Sequence, residues 1–415
     1  MSHTPLRVLY VTHTAARGGC AGSLRFLIEN LPDGAVDATI ISPEGPALDA
    51  FRAAGVRVVV IPGVSMLQSI YGAPLRGWRT LELLRTIWFM RHGGRIRQAI
   101  REVKPDLVHL NERGMLQAAR IAHGEGVPVV VHARSVMDPG TRWVKTLDDA
   151  ALNRYASMVV PIDESVSWSI RDVRRRSVIY NPLNLGRDHA MPALTNRVPA
   201  VDARVRVTYL SGLLRYKGIW DLLEAARRLR HRDDVLFQVA GENSRPAEFF
   251  RSPVGRVAQM TGLARDVERD IRRWLAREGL SNVRLLGHVD GTAQLLAATD
   301  VLVFPSHLNG PGRSIFEAGI YGIPSVVALT DRIEDVVQDG VTGLVVPGRN
   351  PVALADAIER LASDEDLRRR LGEQAHRKYA EQFDPQRIGA QMLDLYRGVL
   401  AAARQPAAAS HLEPA

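Results

Sequence analysis

The sequence predicts an α/β protein of two parallel-sheet domains facing a cleft, and three observations carry that expectation. Short β-branched runs alternate with helix-length amphipathic segments from end to end, the pattern of parallel strands covered by helices on both faces. The alternation stops over residues 181–204, a proline-containing stretch headed by Asn-Pro with no clear periodicity, and then starts afresh. At 415 residues, 46% hydrophobic and with a mean hydropathy of -0.08, the chain is long enough for two ordinary cores. The boundaries read as an N-terminal domain over 1–185, a C-terminal domain over 186–385, a last helix over 386–404 and a disordered tail over 405–415.

In chain order, the first domain's strands are expected at 7–12, 38–42, 56–61, 107–110, 127–132 and 158–162, with 178–180 closing the set. Those of the second are expected at 205–211, 236–240, 283–286, 301–304, 325–328 and 344–346. Helices follow the first strand of each domain, over 24–31 and 219–229, and a helical stretch over 351–382 precedes the break at Asp384-Pro385.

Composition narrows the function classes. No apolar stretch approaches the length of a membrane span, and the N-terminus enters a strand-like run without a signal-peptide core, so a cytoplasmic location is expected. The single cysteine, Cys20, leaves no internal disulfide framework and no cysteine-cluster metal site. A formal charge of +9 and a pI of about 10.0 favour anionic partners. Fifty of the 54 basic residues are arginines, so a lysine carries more information than any one arginine.

The most telling stretch is DVLVFPSHLNGPGRSIFEAGIYGIPSVV, residues 300–327. A strand breaks at Pro305-Ser306 into a loop with Asn309, Gly310 and Gly312, and a helix opens at about Arg313 and Ser314. Backbone N–H groups at such a helix start face the end of a strand, where open α/β sheets bind phosphate-bearing ligands. Glu317, one turn in, is close enough to meet hydroxyls of the same ligand. The pattern suggests a site for a nucleoside diphosphate carrying a polyol.

Three further strand ends add to it. Gly18 and Gly19, in RGGCAGS after the first strand, allow close backbone approach, but their spacing fits neither a dinucleotide fingerprint nor a P-loop; a plain strand-to-helix turn is an equal reading. Gly212, Arg215 and Lys217, in SGLLRYKG, place two cations at the mouth of the second sheet, where they can hold the negative charge of a leaving diphosphate; Gly241 ends the next strand. The bland reading of Lys217 is a solvated surface charge. His132 ends the strand over 127–131 and, facing a cleft, can donate to a substrate oxygen or relay a proton; His109 can do likewise, and one of the pair can equally be a satisfied core histidine. The acidic triplet 364–366 reads as helix capping and not as a metal site, so no metal cofactor is expected. Residues 74–101 mix Trp78, Leu81, Leu84, Ile87, Trp88, Phe89 and Met90 with seven arginines, which suits either a helix in an anionic membrane interface or a core helix with a basic face. No nucleic-acid-binding module accompanies the charge.

With these motifs in place, the sequence resembles the GT-B fold retaining glycosyltransferases of family 4, which include many bacterial polysaccharide and lipopolysaccharide transferases. The resemblance covers nearly the whole chain and is strongest over 205–383, in NVRLLGHVDGTAQLLAATDVLVFPS and in the run from IEDVVQDGVTGLVVPGRN to KYAEQF; VIYNPLN is similar to the interdomain segment. It implies two Rossmann-like domains, an acceptor domain followed by a nucleotide-sugar donor domain, with the last helix crossing back to the first. It also implies that Glu317 binds the donor ribose, that Arg215 and Lys217 neutralise the diphosphate, that Gly18 and Gly19 form the N-terminal glycine loop, and that His132 lies near the transferred sugar. Two positions depart from the family: Asn309 stands where the first glutamate of a pair is expected, and Leu213 stands where an arginine is expected, with Arg215 as a shifted counterpart. Donor identity therefore does not carry over.

The expectation is a metal-independent retaining transferase using a nucleoside-diphosphate sugar, with a UDP-sugar favoured. Its acceptor is a saccharide or a lipid-linked glycan at the anionic inner face of the cytoplasmic membrane. The alternatives are a sugar-nucleotide epimerase of the same architecture or a catalytically silent nucleotide-sugar-binding subunit.

Overall fold

Each predicted sheet forms because its central strands are apolar on both faces, and in the computed structural model helices cover both faces. The structure describes residues 4–16, 19–67, 78–136, 142–183, 204–243, 245–289, 292–307, 312–328 and 335–404. The chain divides into two compact units, residues 1–184 with 383–415 and residues 185–382.

In the first unit the strands are β1 (Leu6–Val11), β2 (Val36–Ser42), β3 (Arg57–Val60), β4 (Leu107–Leu110), β5 (Val129–Ala133) and β6 (Met158–Pro161). Its helices are α1 (Gly19–Glu29), α2 (Leu48–Ala53), α3 (Trp78–Phe89), α4 (Gly93–Val103), α5 (Leu116–Gly124), α6 (Arg142–Tyr155) and α7 (Glu164–Ser169). In the second unit the strands are β7 (Val205–Leu210), β8 (Val235–Ala240), β9 (Val283–Gly287), β10 (Val301–Phe304), β11 (Ser325–Ala328) and β12 (Gly343–Val346). Its helices are α8 (Ile219–Arg228), α9 (Ala247–Arg251), α10 (Pro253–Met260), α11 (Val267–Glu278), α12 (Thr292–Ala297), α13 (Arg313–Ile320), α14 (Pro351–Ser363) and α15 (Glu365–Gln382). A final helix, α16 (Pro385–Arg404), belongs to the first unit.

Both sheets are parallel and six-stranded, in the orders β3-β2-β1-β4-β5-β6 and β12-β11-β10-β7-β8-β9. Each order reverses beside its first strand, between β1 and β4 and between β7 and β10. Two neighbouring strands there send their chains to opposite faces, and this opens a crevice at their C-terminal ends. The period of two along β1 builds the first unit's core: Val8 and Tyr10 join Leu24 and Leu27 of α1 and Met392 and Tyr396 of α16, while Leu9 and Val11 join Ile96 and Ile100 of α4. In the second unit, α8 and α14 pack on one face through Leu222, Leu223, Leu354 and Ile358. Close approach of α13 and α15 requires Gly319, where a Cβ would lie 2.0 Å from the Tyr379 ring.

Twelve of the thirteen expected strands form. The exception is 178–180. Residues 175–179 run beside the edge of β6, with Ser177 N–H donating to Val159 O and Ile179 N–H to Pro161 O, but they form only an isolated bridge, Val159 with Arg176. Pro182 follows and has no N–H with which to extend the ladder. Residues 351–382 form two helices and not one stretch, because Asp364 caps α15, its carboxylate accepting from Leu367 N–H at 2.8 Å. That is the capping role expected of the acidic triplet.

Candidate active site

The second unit's crevice is assembled from the loops that follow β7 and β10. After β7 the chain makes a 3-10 turn over Arg215–Lys217 and closes at Gly218, which adopts φ 73°. A Cβ on Gly218 would lie 1.7 Å from Pro305 O, so the Lys217 turn nests directly against the end of β10. Lys217 Nζ sits 5.2 Å from the centre of the Phe304 ring, the last residue of β10, and Gly312 packs against that same ring. One aromatic side chain thus spaces the ammonium from the start of α13.

Burial lowers the Lys217 pKa, and no carboxylate among the described residues offsets it. The nearest acidic group of α8, Asp221, is instead taken by His307, whose Nε2 lies 2.7 Å from its carboxylate. His307 also donates its backbone N–H to Tyr216 O at 2.8 Å. This contact, which the sequence reading did not single out, fixes the two loops to each other; a histidine directly after Pro-Ser was the available signal.

At α13, Gly312 is the N-cap and supplies no capping side chain. Ser314 is buried in that turn. Glu317 is held one turn in by Arg313, Nε to Oε1 2.7 Å. Arg215 is exposed and lines a pocket of about 230 Å³ with Leu213, Leu214, Asn243, Arg245 and Phe250. Gly241 packs on the loop after β7, where a Cβ would lie 1.9 Å from Ser211 O, while Gly212 is open, with no atom nearer than 3.8 Å to such a Cβ. Asn309 and Gly310, and Gly18 of the first unit, lie outside the described residues. Gly19 begins α1 in a left-handed conformation, φ 50°.

In the first unit the strand end and exposure expected of His132 need correction. β5 runs one residue further than expected, to Ala133, and His132 is wholly buried within it instead of standing at an open strand end. Its ring meets that of His109 at 5.3 Å, edge to face, and His109 Nδ1 lies 2.7 Å from the hydroxyl of Tyr396 in α16. Burial and Arg134 push His132 well below the usual histidine range, and burial brings His109 down to about 3, so both rings are neutral.

A buried polar network that sequence spacing did not reveal surrounds them. Glu112 accepts from the N–H groups of Arg113 and Arg134 through Oε1 and from Ser135 Oγ through Oε2, and burial pushes its carboxyl up. Arg134 donates from Nε to Asn111 Oδ1 at 2.8 Å, from Nη1 to Asn181 Oδ1, and from Nη2 to His132 Nδ1 at 3.2 Å. Asn111 in turn donates to Cys20 O in the first turn of α1. The loops after β4 and β5, the start of α1 and the end of the first domain's chain are thereby tied at one point. Among the described residues, no group of three or more His, Cys, Asp or Glu side chains is placed to hold a metal ion.

The expected basic aromatic helix is two helices. α3 ends at Phe89, a 3-10 turn over Met90–His92 follows, and α4 begins at Gly93. The His92 ring, 3.0 Å from Gly63 O, and the Phe89 ring, against Gly63, anchor the break. α4 buries Ile96, Ala99 and Ile100 and is a core helix. α3 differs: Leu84, Ile87 and Trp88 are more than half exposed, and the Arg91 guanidinium lies 3.7 Å over the Trp88 ring. Trp78 and Leu81 have side chains outside the described set.

Comparison with known proteins agrees with this architecture. Residues 18–182 match the model of the glycosyl transferase 4-like domain, and residues 195–378 match that of glycosyl transferases group 1. The chain is 25% identical to an alpha-D-kanosaminyltransferase of Streptomyces kanamyceticus, over 83% of this chain and 88% of that protein. It is 26% identical to a GDP-mannose-dependent alpha-(1-6)-phosphatidylinositol monomannoside mannosyltransferase of Mycobacterium tuberculosis, over 94% of this chain and 98% of that one. Among solved structures, HepE of Anabaena in complex with UDP and glucose superposes with a TM-score of 0.72 at 20% identity, over 94% of this chain and 99% of that one.

Proposed function

Because the chain belongs to the GT-B glycosyltransferases of the family 4-like type, its two halves matching the two domain models, we propose that it transfers a sugar from a nucleoside diphosphate to a hydroxyl acceptor with retention and without a metal ion. The single observation behind the donor site is Lys217: a half-buried ammonium with no carboxylate partner among the described residues, at the point where the second sheet reverses and one aromatic ring from the start of α13. A leaving diphosphate supplies the missing negative charge, and the α13 amides add to it. Arg215 extends the cationic surface into the neighbouring pocket, and Glu317, steadied by Arg313, is placed to accept from ribose hydroxyls. The acceptor oxygen attacks on the face the diphosphate leaves, and a phosphate oxygen takes its proton.

A UDP-sugar is the donor we favour, since HepE was solved with UDP. For the acceptor we propose a lipid-linked glycan at an anionic membrane surface. The exposed Leu84, Ile87 and Trp88 stripe of α3, with Arg91 over the indole, is suited to such an interface. No helix among the described residues is long and apolar enough to cross a membrane.

Thermal shift against a panel of nucleoside diphosphate sugars tests the donor reading, because one donor should raise the melting temperature by mass action. Hydrolysis of that donor should be lost in both Lys217→Ala and Glu317→Ala; turnover of the nucleotide sugar without any acceptor product would point to an epimerase. Equal sedimentation with neutral and anionic vesicles would exclude the membrane acceptor.

A further inference from the structure

We propose that Arg134 is a positioning residue that holds His132 as its Nε2–H tautomer, so that His132 meets its ligand as a hydrogen-bond donor and not as a base. The inference rests on the transferase reading for the ligand, an oxygen of the sugar or of its acceptor, but its structural part stands without it.

A guanidinium has five N–H donors and no acceptor, so the contact between Arg134 Nη2 and His132 Nδ1 has one possible direction. Arg134 donates, and Nδ1 accepts with its lone pair. The guanidinium cannot turn away freely, because Nε and Nη1 are committed to the side-chain oxygens of Asn111 and Asn181. Its planar fork therefore aims the third donor at the imidazole.

A ring wholly buried beside a cation and against a second histidine stays singly protonated. With Nδ1 accepting, the one ring proton is on Nε2. That nitrogen is buried and has no acceptor among the described residues, so it is the donor left over once the protein's own bonds are made. A base would need a free lone pair, and the only one on this ring already faces Arg134.

The tautomer can be read without any substrate. Two-bond proton–nitrogen correlation spectra of the nitrogen-labelled full chain, with His132 assigned by its loss in His132→Gln, should show the Nε2–H form. Folded Arg134→Met should move this residue to a mixture of tautomers. A wild-type Nδ1–H form, or an unchanged pattern in folded Arg134→Met, overturns the proposal.

Turnover gives the second readout. Glutamine keeps an N–H donor but has no basic nitrogen, so His132→Gln should retain at least about tenfold more kcat than His132→Ala, with donor KM similar in the two. Equal activity of the two variants overturns the donor role. Should Arg134→Met not fold, the wild-type spectrum and the two His132 variants decide the matter. Lack of turnover with every nucleoside diphosphate sugar would sink the transferase reading and leave the tautomer result standing.

Discussion

The two units share one topology and treat charge in opposite ways. Each sheet reverses its order beside its first strand and presents a crevice there, yet the first unit pairs Arg113, Asp148 and Asp149 in its interior while in the second Lys217 has no carboxylate partner among the described residues. In the first, Arg113 donates from Nε to Asp148 at 2.7 Å and pairs with Asp149 at 3.2 Å, all three buried, and Glu112 is filled by three donors. In the second, His307 takes the Asp221 carboxylate, and Lys217 faces an aromatic ring instead of an acid. The same strand order therefore provides a site twice. Pairing decides which charges are already neutralised by the fold.

Four measurements would break or sharpen that contrast, taken from the largest effect down. Arg113→Met strands the buried Asp148 carboxylate and leaves Asp149 with Lys145, and should cost the first unit about 3–5 kcal/mol of stability, read as an earlier urea transition; a cost near zero would mean the pair is not closed as described. Lys217→Met should leave folding intact, as judged by circular dichroism, and lower donor turnover about a hundred- to a thousandfold. The reverse pattern, lost stability with turnover kept, would make Lys217 structural.

The third is a pH dependence. His109 is held at about 3 in the fold against an ordinary 6.5, so the unfolded chain takes up its proton first. Stability from this group is complete above about pH 6.5 and is lost as pH falls towards 3; at pH 5 the loss should be about 2 kcal/mol. His109→Asn should flatten that part of the stability curve, and an unchanged slope would show that His109 is not the group responsible. The smallest effect belongs to Asp221→Asn, which weakens the His307 contact and should cost about 1 kcal/mol, seen as a modest drop in the melting temperature of the second unit.

Sequence pattern was sufficient for elements whose cause is local. Apolar runs bounded by Pro and Gly located the strands, and β4, β10 and β11 fall at 107–110, 301–304 and 325–328, as expected. The start of α13 at Arg313 was legible because Gly312 ends a glycine- and proline-rich loop, and the Asp364 cap was legible from its first-turn position. Lys217 stood out by scarcity, being one of four lysines.

Where long-range contact decides, the pattern was silent. The strand over 178–180 failed because an edge segment needs a committed partner, not a β-branched composition. His132 looked open because it closes an apolar run, and it is buried because His109, on the preceding strand, stacks on it with Tyr396 behind. Arg134, Asn111 and Asn181 were not singled out, since nothing in their spacing announces a shared guanidinium.

Composition, hydrophobic period and glycine placement determined, by themselves, the two sheets, their helices and the strand ends where chemistry gathers, because these follow from backbone sterics and the burial of neighbouring side chains. Only the tertiary structure decided which ionisable groups would be paired with one another. A charge's partner comes from a different strand or helix, and its proton affinity is set by the burial and the neighbours that folding brings to it.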